Sequence, residues 1–303
     1  MSEIDQLPIR SVGGDGRKPS WLRVKLPSTP TFWSTKELVS DLKLPTVCEE
    51  AQCPNRWECW EQGTATFMIA GDRCTRACGF CAVKTAKPFA LENDEPERVA
   101  KATERLGLKH VVITAVARDD LADGGAGHFA DTICAVRDRN PGIVIEVLTS
   151  DFNLKNDALL KVMEAAPDVF NHNLETVERL TPLVRSRAKY ERSLKVLQQA
   201  KAMTKNLGVN SVTKSGLMLG LGENVEEILV AMDDLRERGV SILTLGQYLR
   251  PSARHLPVVE YIHPDTFERL KDVALERGFV HVSSGPLVRS SYHAGDFSPV
   301  DLD

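Results

Sequence analysis

No histidine precedes His110 in this chain of 303 residues, and basic residues are outnumbered, 38 lysines and arginines against 42 aspartates and glutamates. Nor does any apolar run reach the roughly 18 residues that a membrane-spanning helix needs. Each absence removes a class of function. A formal net charge of −4 excludes a surface built mainly to hold nucleic acid, and neither a nucleic-acid nor a membrane partner is expected. Without nearby histidines, the N-terminal cysteines cannot form mixed Cys–His zinc knuckles. The opening stretch MSEIDQLPIRSVGGDGRKPS lacks the apolar core of a secretory leader. A cytoplasmic, reducing setting is therefore expected, in which a disulfide framework is disfavoured. What remains is an ordinary globular composition, 42% hydrophobic and 26% charged, with length for one large α/β domain or two medium ones.

Against this plain background the cysteines stand out. Of the seven, Cys48, Cys53 and Cys59 form a C-x4-C-x5-C trio within VCEEAQCPNRWEC. Cys74, Cys78 and Cys81 form a C-x3-C-x2-C trio within RCTRACGFC. Thiolates are soft ligands suited to iron–sulfur clusters, zinc or copper(I). A cubane cluster takes four ligands, so a trio leaves one iron free for a partner that is not cysteine. Two trios suggest two clusters, each with an unusual fourth ligand. Structural zinc, which favours paired C-x2-C knuckles, remains the alternative reading of the spacing. Cys134, in the helical setting DTICAVRD, is expected to be a buried small hydrophobe rather than a ligand.

Residues 1–30, rich in glycine and proline, read as an irregular arm over the body. TFWSTKELVSDLKL (31–44) reads as a helix stopped by Pro45. Beyond the first trio the pattern alternates. Short apolar runs at 66–71, 110–116, 143–149, 168–174, 215–221 and 241–249 are separated by amphipathic, helix-length stretches, among them 95–108, 153–166, 190–208 and 224–239. Such alternation predicts an α/β fold with a parallel sheet covered by helices. About six units favour a partial or closed (β/α) barrel over a doubly wound open sheet, which stays as the alternative. The expected division is an N-terminal cluster-binding extension (1–62), a barrel (63–280) and a C-terminal loop segment (281–303). In a barrel the chemistry sits where strands run into helices. The second trio, ARDD (117–120), Thr149-Ser150-Asp151, Asn171, Asn173, Glu175 and the GLGE stretch (220–223) all fall there.

C-x3-C-x2-C directly after a strand, with Phe80 before its last cysteine, resembles the signature of the radical S-adenosylmethionine enzymes. Gly216-x-Met218-x-Gly220-x-x-Glu223 is similar to the G-x-I-x-G-x-x-E strand of that superfamily, with Met at the Ile position. The first trio, together with Arg289-Ser290-Ser291-Tyr292, narrows the resemblance to the lipoyl synthases. The strings RWECWEQGTATFMIAGDRCTRACGFCAV, ARDDLADGGAGHF, NHNLETV and QYLRPSARHLPV agree with it. The resemblance runs from about residue 18 to 297.

The resemblance implies two [4Fe–4S] clusters. One would be held by Cys74, Cys78 and Cys81, with S-adenosylmethionine chelating its fourth iron. The auxiliary one would be held by Cys48, Cys53, Cys59 and Ser291, which are then the residues of the sulfur-donating step. It further implies insertion of two sulfur atoms, at carbons 6 and 8 of an octanoyl-lysine on a lipoyl carrier domain. The carriers would be 2-oxoacid dehydrogenase acyltransferase subunits and the glycine cleavage carrier protein. Flavodoxin or ferredoxin would supply electrons, and the enzyme would act as a monomer. Contacts to S-adenosylmethionine are expected from Thr114, Asn173, Glu175, Arg185, Gly220 and Glu223. One departure touches this set. Family members often read V-R-P-x-A-x-Y where this chain has Val184-Arg185-Ser186-Arg187-Ala188-Lys189-Tyr190, so the choice of Arg185 over Arg187 rests on position. Rival readings expect other features. A biotin-synthase-like enzyme would build its second cluster site from scattered barrel residues, a methylthiotransferase would add an RNA-binding module, and a ferredoxin-like carrier would supply four cysteines per cluster.

Overall fold

In a computed structural model of the chain, which describes residues 11–13, 18–23, 30–42, 44–50, 53, 55, 66–185 and 187–291, the alternating runs become a curved parallel sheet wrapped by helices. Its strands are β1 (Thr66–Ile69), β2 (His110–Ala115), β3 (Val144–Leu148), β4 (Val169–Asn171), β5 (Val212–Leu219), β6 (Ile242–Gln247) and β7 (His281–Gly285). They lie side by side in sequence order, every neighbouring pair parallel. A doubly wound sheet would reverse direction at a switch point; this one never does, and the open-sheet alternative falls. Among the described residues β1 and β7 end the order without pairing to each other. The barrel is therefore partial.

Among the described residues, the helices over the outer face include α1 (Glu95–Arg105), α2 (Ala126–Arg139), α3 (Asn156–Glu164), α4 (Tyr190–Leu207), α5 (Val225–Glu237) and α6 (Pro264–Glu276). Their ends follow from local chemistry. The Asn224 side chain accepts from the Glu227 amide while Glu227 answers to the Asn224 amide, a capping box that starts α5. Gly208, at φ +66°, closes α4 in the left-handed region that other residues resist. Outward strand residues such as Phe67, Ile113, Ile145 and Phe170 pack under α1–α3, while Leu243, Leu245 and Val282 pack with α5 and α6. Inward residues alternate with them, and they build the site.

Three expectations need correction. The segment expected as a C-terminal loop begins with strand β7, whose sequence HVSSG buries only Val282 fully and so carries no apolar signature. Strand β5 starts at Val212 rather than at 215, because its first turnings include Lys214, a charge that reads as solvent-facing. Cys134 is exposed rather than buried: α2 turns Phe129, Ile133 and Val136 inward and leaves position 134 outside. Part of the N-terminal arm does lie on the body, Ser11–Gly13 pairing antiparallel with Glu260–Ile262.

Lys214 is buried because Glu146 of β3 meets it at 2.9 Å, with Asn171 donating to the same carboxylate. Burial alone would raise the Glu146 carboxyl, but the Lys214 ammonium and His110 overcome this and hold it at about 2. Removing one partner leaves a charge stranded in the core, at a cost of about 3–5 kcal/mol. Lys214→Met is expected to lower unfolding stability by that amount in a urea titration. Glu146→Met/Lys214→Met should recover most of the loss. Because the folded carboxyl lies below its unfolded value, this contribution is present above about pH 4.3. It fades as the pH falls toward 2.

Candidate functional site

The inward faces of the strands enclose a cavity of about 490 Å³. Period-two alternation aims Thr66 and Met68 of β1, Gly216 and Met218 of β5, and Thr244 and Gly246 of β6 into it. Thr114 and Leu148 add the ends of β2 and β3, and His172, Asn173 and Glu175 follow β4. Cys74, Cys78 and Cys81, on the loop after β1, open onto this cavity, and so does Cys53 from the N-terminal extension. Cys59 and the side chain of Cys48 lie outside the described residues, as do Trp57, Trp60 and Tyr292.

The cysteine loop is fixed by its backbone. Gly79 donates to the Val184 carbonyl at 2.9 Å and accepts from the Leu256 amide at 3.0 Å. His255 Nε2 meets the Cys81 carbonyl at 3.0 Å while its Nδ1 faces the Ser252 hydroxyl, which assigns the ring proton to Nε2. Arg76, between the first two cysteines, lines the cavity and pairs with Asp119 and Asp151, both at 2.7 Å. Arg118 instead pairs with Asp120 and donates to the Ala70 carbonyl. The ARDD stretch therefore braces the loop, with Ala117 its contribution to the cavity wall.

Burial pushes the Cys78 thiol up to about 11 and the Cys81 thiol to about 12. Thiols so placed ionise when a cation takes the proton's place, as soft metal ligands do. Among the described residues no three His, Cys, Asp or Glu side chains converge on one point as ligands of a single ion would; each cysteine opens separately onto the cavity. Buried polar atoms there also lack partners: Asn173 Oδ1 and Thr149 Oγ1 have none in the protein. Such atoms cost free energy unless a ligand meets them. The donor set and these orphan atoms fit an iron–sulfur cluster with a polar organic ligand beside it.

A relay behind the wall holds Arg185. His172 Nδ1 donates to the Thr149 carbonyl at 2.8 Å, leaving Nε2 to accept from the Ser193 hydroxyl at 2.9 Å. Ser193 in turn accepts from Arg185 Nη1 at 3.0 Å, and the same nitrogen donates to the Leu174 carbonyl. Burial and the Arg185 cation hold His172 down at about 4, so it stays neutral in this relay at neutral pH. Arg185 faces Glu175 and Cys78. Burial raises the Glu175 carboxyl, and the guanidinium opposes this.

Of the residues expected to contact a cofactor, the fold brings Thr114, Asn173, Glu175 and Arg185 to the cavity; Gly220 and Glu223 are not in its lining. Both shape the turn after β5. A Cβ on Gly220, at φ +98°, would strike Gln247 Nε2 at 2.2 Å and the Glu260 carbonyl at 2.4 Å. Glu223 accepts the backbone N–H groups of Gly220 and Leu221, while burial raises its carboxyl to about 7. Sequence reasoning missed His172 and Ser193. Histidine after a strand is a weak signal, and a serine inside a helix gives none.

The segment after β7 returns across the cavity. The Val288 carbonyl lies over Gly246, where a Cβ would come within 2.1 Å of it. Asn55 donates to the Leu287 carbonyl at 2.6 Å, and Arg289 faces Cys53. Ser290 accepts from Asn173 Nδ2 at 2.6 Å, and Ser291 accepts from the Thr66 hydroxyl at 2.9 Å. Adjacent serines thus reach two different walls.

Comparison with known proteins places this geometry. Residues 68–235 match the Radical SAM superfamily, and residues 3–53 match the N-terminal domain of lipoyl synthase of that family. The chain is 56% identical over 296 residues to the lipoyl synthase of Symbiobacterium thermophilum, covering 98% of this chain and 91% of that protein. It is 57% identical over 281 residues to that of Halalkalibacterium halodurans, covering 92% and 91%. Among solved structures, Streptococcus suis SuiB bound to S-adenosylmethionine shares the fold at TM-score 0.58 and 13% identity. That match covers 82% of this chain and 57% of SuiB. HydG, a maturase of the [FeFe]-hydrogenase, shares it at TM-score 0.54 and 14% identity, covering 86% and 72%.

Proposed function

This chain belongs to the lipoyl synthase family of the radical S-adenosylmethionine superfamily, and we propose from that premise how its cavity divides the reaction between two sets of ligands. The enzyme is a sulfurtransferase that inserts two sulfur atoms, at carbons 6 and 8 of an octanoyl chain carried on a lysine of a lipoyl carrier domain. It uses S-adenosylmethionine and two [4Fe–4S] clusters, the auxiliary one being the source of sulfur.

In our assignment Cys74, Cys78 and Cys81 hold the first cluster, and Cys48, Cys53, Cys59 and Ser291 hold the auxiliary one. When bound, the first cluster supplies the electron that cleaves S-adenosylmethionine and so begins hydrogen abstraction from an unactivated carbon. The chain's own residues bind, orient and exclude water. Asn173 and Glu175 offer acceptors suited to amino and hydroxyl groups, and Arg185 offers a cation suited to a carboxylate. The Thr114 hydroxyl, donating to the Leu148 carbonyl at 2.8 Å, keeps its lone pairs for a ligand. Met68, Leu148, Met218 and Val288 give the apolar lining an octanoyl chain needs. Gly220 and Glu223 act indirectly, by shaping the turn after β5.

One observation carries this reading: Cys53 opens onto the same cavity as Cys74, Cys78 and Cys81. A radical formed at one set can meet sulfur from the other without release. Incubating the reconstituted protein with an octanoyl-lysine peptide, S-adenosylmethionine and dithionite tests it. Mass spectrometry should find two added sulfurs. Cleaved S-adenosylmethionine beside unchanged peptide would overturn the assignment of the sulfur donor.

The finer points are also proposals. The carriers would be 2-oxoacid dehydrogenase acyltransferase subunits and the glycine cleavage carrier protein, with electrons from flavodoxin or ferredoxin. The enzyme would work as a cytoplasmic monomer; no helix among the described residues is long and apolar enough to cross a membrane. Residues 1–62 would form the cluster-binding extension, and the segment beyond β7 would complete it.

Ser291 provides a graded test. The Thr66 hydroxyl that donates to it would steady an anionic oxygen. Ser291→Ala should keep both clusters, by iron and sulfide analysis. Sulfur insertion should fall by at least the roughly 10–100-fold that losing a supporting partner costs at a metal site. Ser291→Cys, a softer and tighter ligand, should also slow turnover.

A further inference from the structure

Asn173 has an amide whose orientation is dictated by its neighbours. Its Nδ2 donates to Glu175 Oε1 at 3.1 Å and to Ser290 Oγ at 2.6 Å, which uses both amide hydrogens. The reversed amide would set a carbonyl oxygen against the Glu175 carboxylate, so this orientation is enforced. Its Oδ1 is buried without a partner, 3.1 Å from where a Cβ on Gly216 would stand. The fold therefore holds one fixed, unsatisfied acceptor in the cavity wall, packed against Gly216. Glu175 could fix it alone only if its own carboxylate stayed put, and a ligand cation would compete for that carboxylate. Ser290 supplies the second anchor from the opposite wall.

We propose that Ser290 is a positioning residue for S-adenosylmethionine: it locks the Asn173 amide so that Oδ1 faces a donor group of the bound cofactor. Its neighbour Ser291 serves the auxiliary cluster, so the segment crossing over Gly246 links the two sites through consecutive side chains. This inference rests on the assignment of Asn173 to the S-adenosylmethionine site. It gives Ser290 a task separate from cluster ligation.

The test is equilibrium binding of radiolabelled S-adenosylmethionine to the reconstituted enzyme without reductant, so that no turnover occurs. Ser290→Ala should weaken binding about ten-fold, the worth of one buried hydrogen bond, with iron and sulfide content unchanged. Ser290→Thr, which keeps the hydroxyl, should restore it. Asn173→Ala should also weaken binding, and Ser290→Ala added to it should cause little further loss, because the two act as one unit. Unchanged affinity in Ser290→Ala beside a weakened Asn173→Ala would overturn this inference and leave the proposed function standing. Unchanged affinity in Asn173→Ala would instead overturn the site assignment beneath it. Loss of auxiliary iron in Ser290→Ala, or fully additive losses in the double variant, would make Ser290 something other than a positioning residue.

Discussion

Replacing Cys78 by alanine is expected to reduce cleavage of S-adenosylmethionine to the level of a protein-free blank. Cys78 sits on a loop clamped from both sides, Gly79 bonding to the Val184 carbonyl and to the Leu256 amide. The loop should therefore keep its course when the sulfur is lost. On the proposed assignment, what would disappear is one of three thiolates for a cluster whose fourth iron must stay open for the cofactor. Two thiolates cannot both retain the cubane and leave that iron free. Cys74→Ala and Cys81→Ala should behave alike, and 5′-deoxyadenosine measured by chromatography reports all three. Undiminished 5′-deoxyadenosine in any one of them would sink the assignment of this trio.

Cys53→Ala should separate the two halves of the reaction. Cys53 belongs to the N-terminal extension, which bonds to the segment after β7 through Asn55 and Leu287, to β1 through Pro45 and Met68, and to Glu260–Ile262 through Ser11–Gly13. The bonds that clamp the cysteine loop at Gly79 run to Val184 and Leu256. Cleavage of S-adenosylmethionine should survive near its normal rate, while the octanoyl peptide gains no sulfur. The expected loss of product is complete, since the sulfur source itself goes. Sulfur insertion persisting in Cys53→Ala would show that the donor lies elsewhere.

Much of this architecture was legible because buried parallel strands must be apolar on both faces. The runs ending at Ile69, Ala115, Leu148 and Gln247 carried that mark, and each was found within two residues. Strand β7 was not, because its inner neighbours are the crossing segment and its own serines, which need no apolar face. The start of β5 was hidden by Lys214, whose burial depends on a partner 68 residues away in sequence. The spacing of Cys74, Cys78 and Cys81 anticipated three thiols opening onto one cavity, while Cys59 and the side chain of Cys48 lie outside the described residues. The relay through His172 and Ser193 was not, because its meaning lies in a helix meeting a strand end. Gly220, expected at the cofactor, is also held to glycine by the fold, since a Cβ there would collide with Gln247 and the Glu260 carbonyl.

The bond between Thr66 and Ser291 joins residues 225 positions apart. A ribosome adding about 5–20 residues per second delivers the second partner roughly 10–45 s after the first. Under the proposed ligand assignment the N-terminal cysteines would stand through that interval without their serine partner, and exposed thiolates oxidise readily. On that assignment the auxiliary site would be complete only in the finished chain, its cysteines preceding its serine by most of the chain's length.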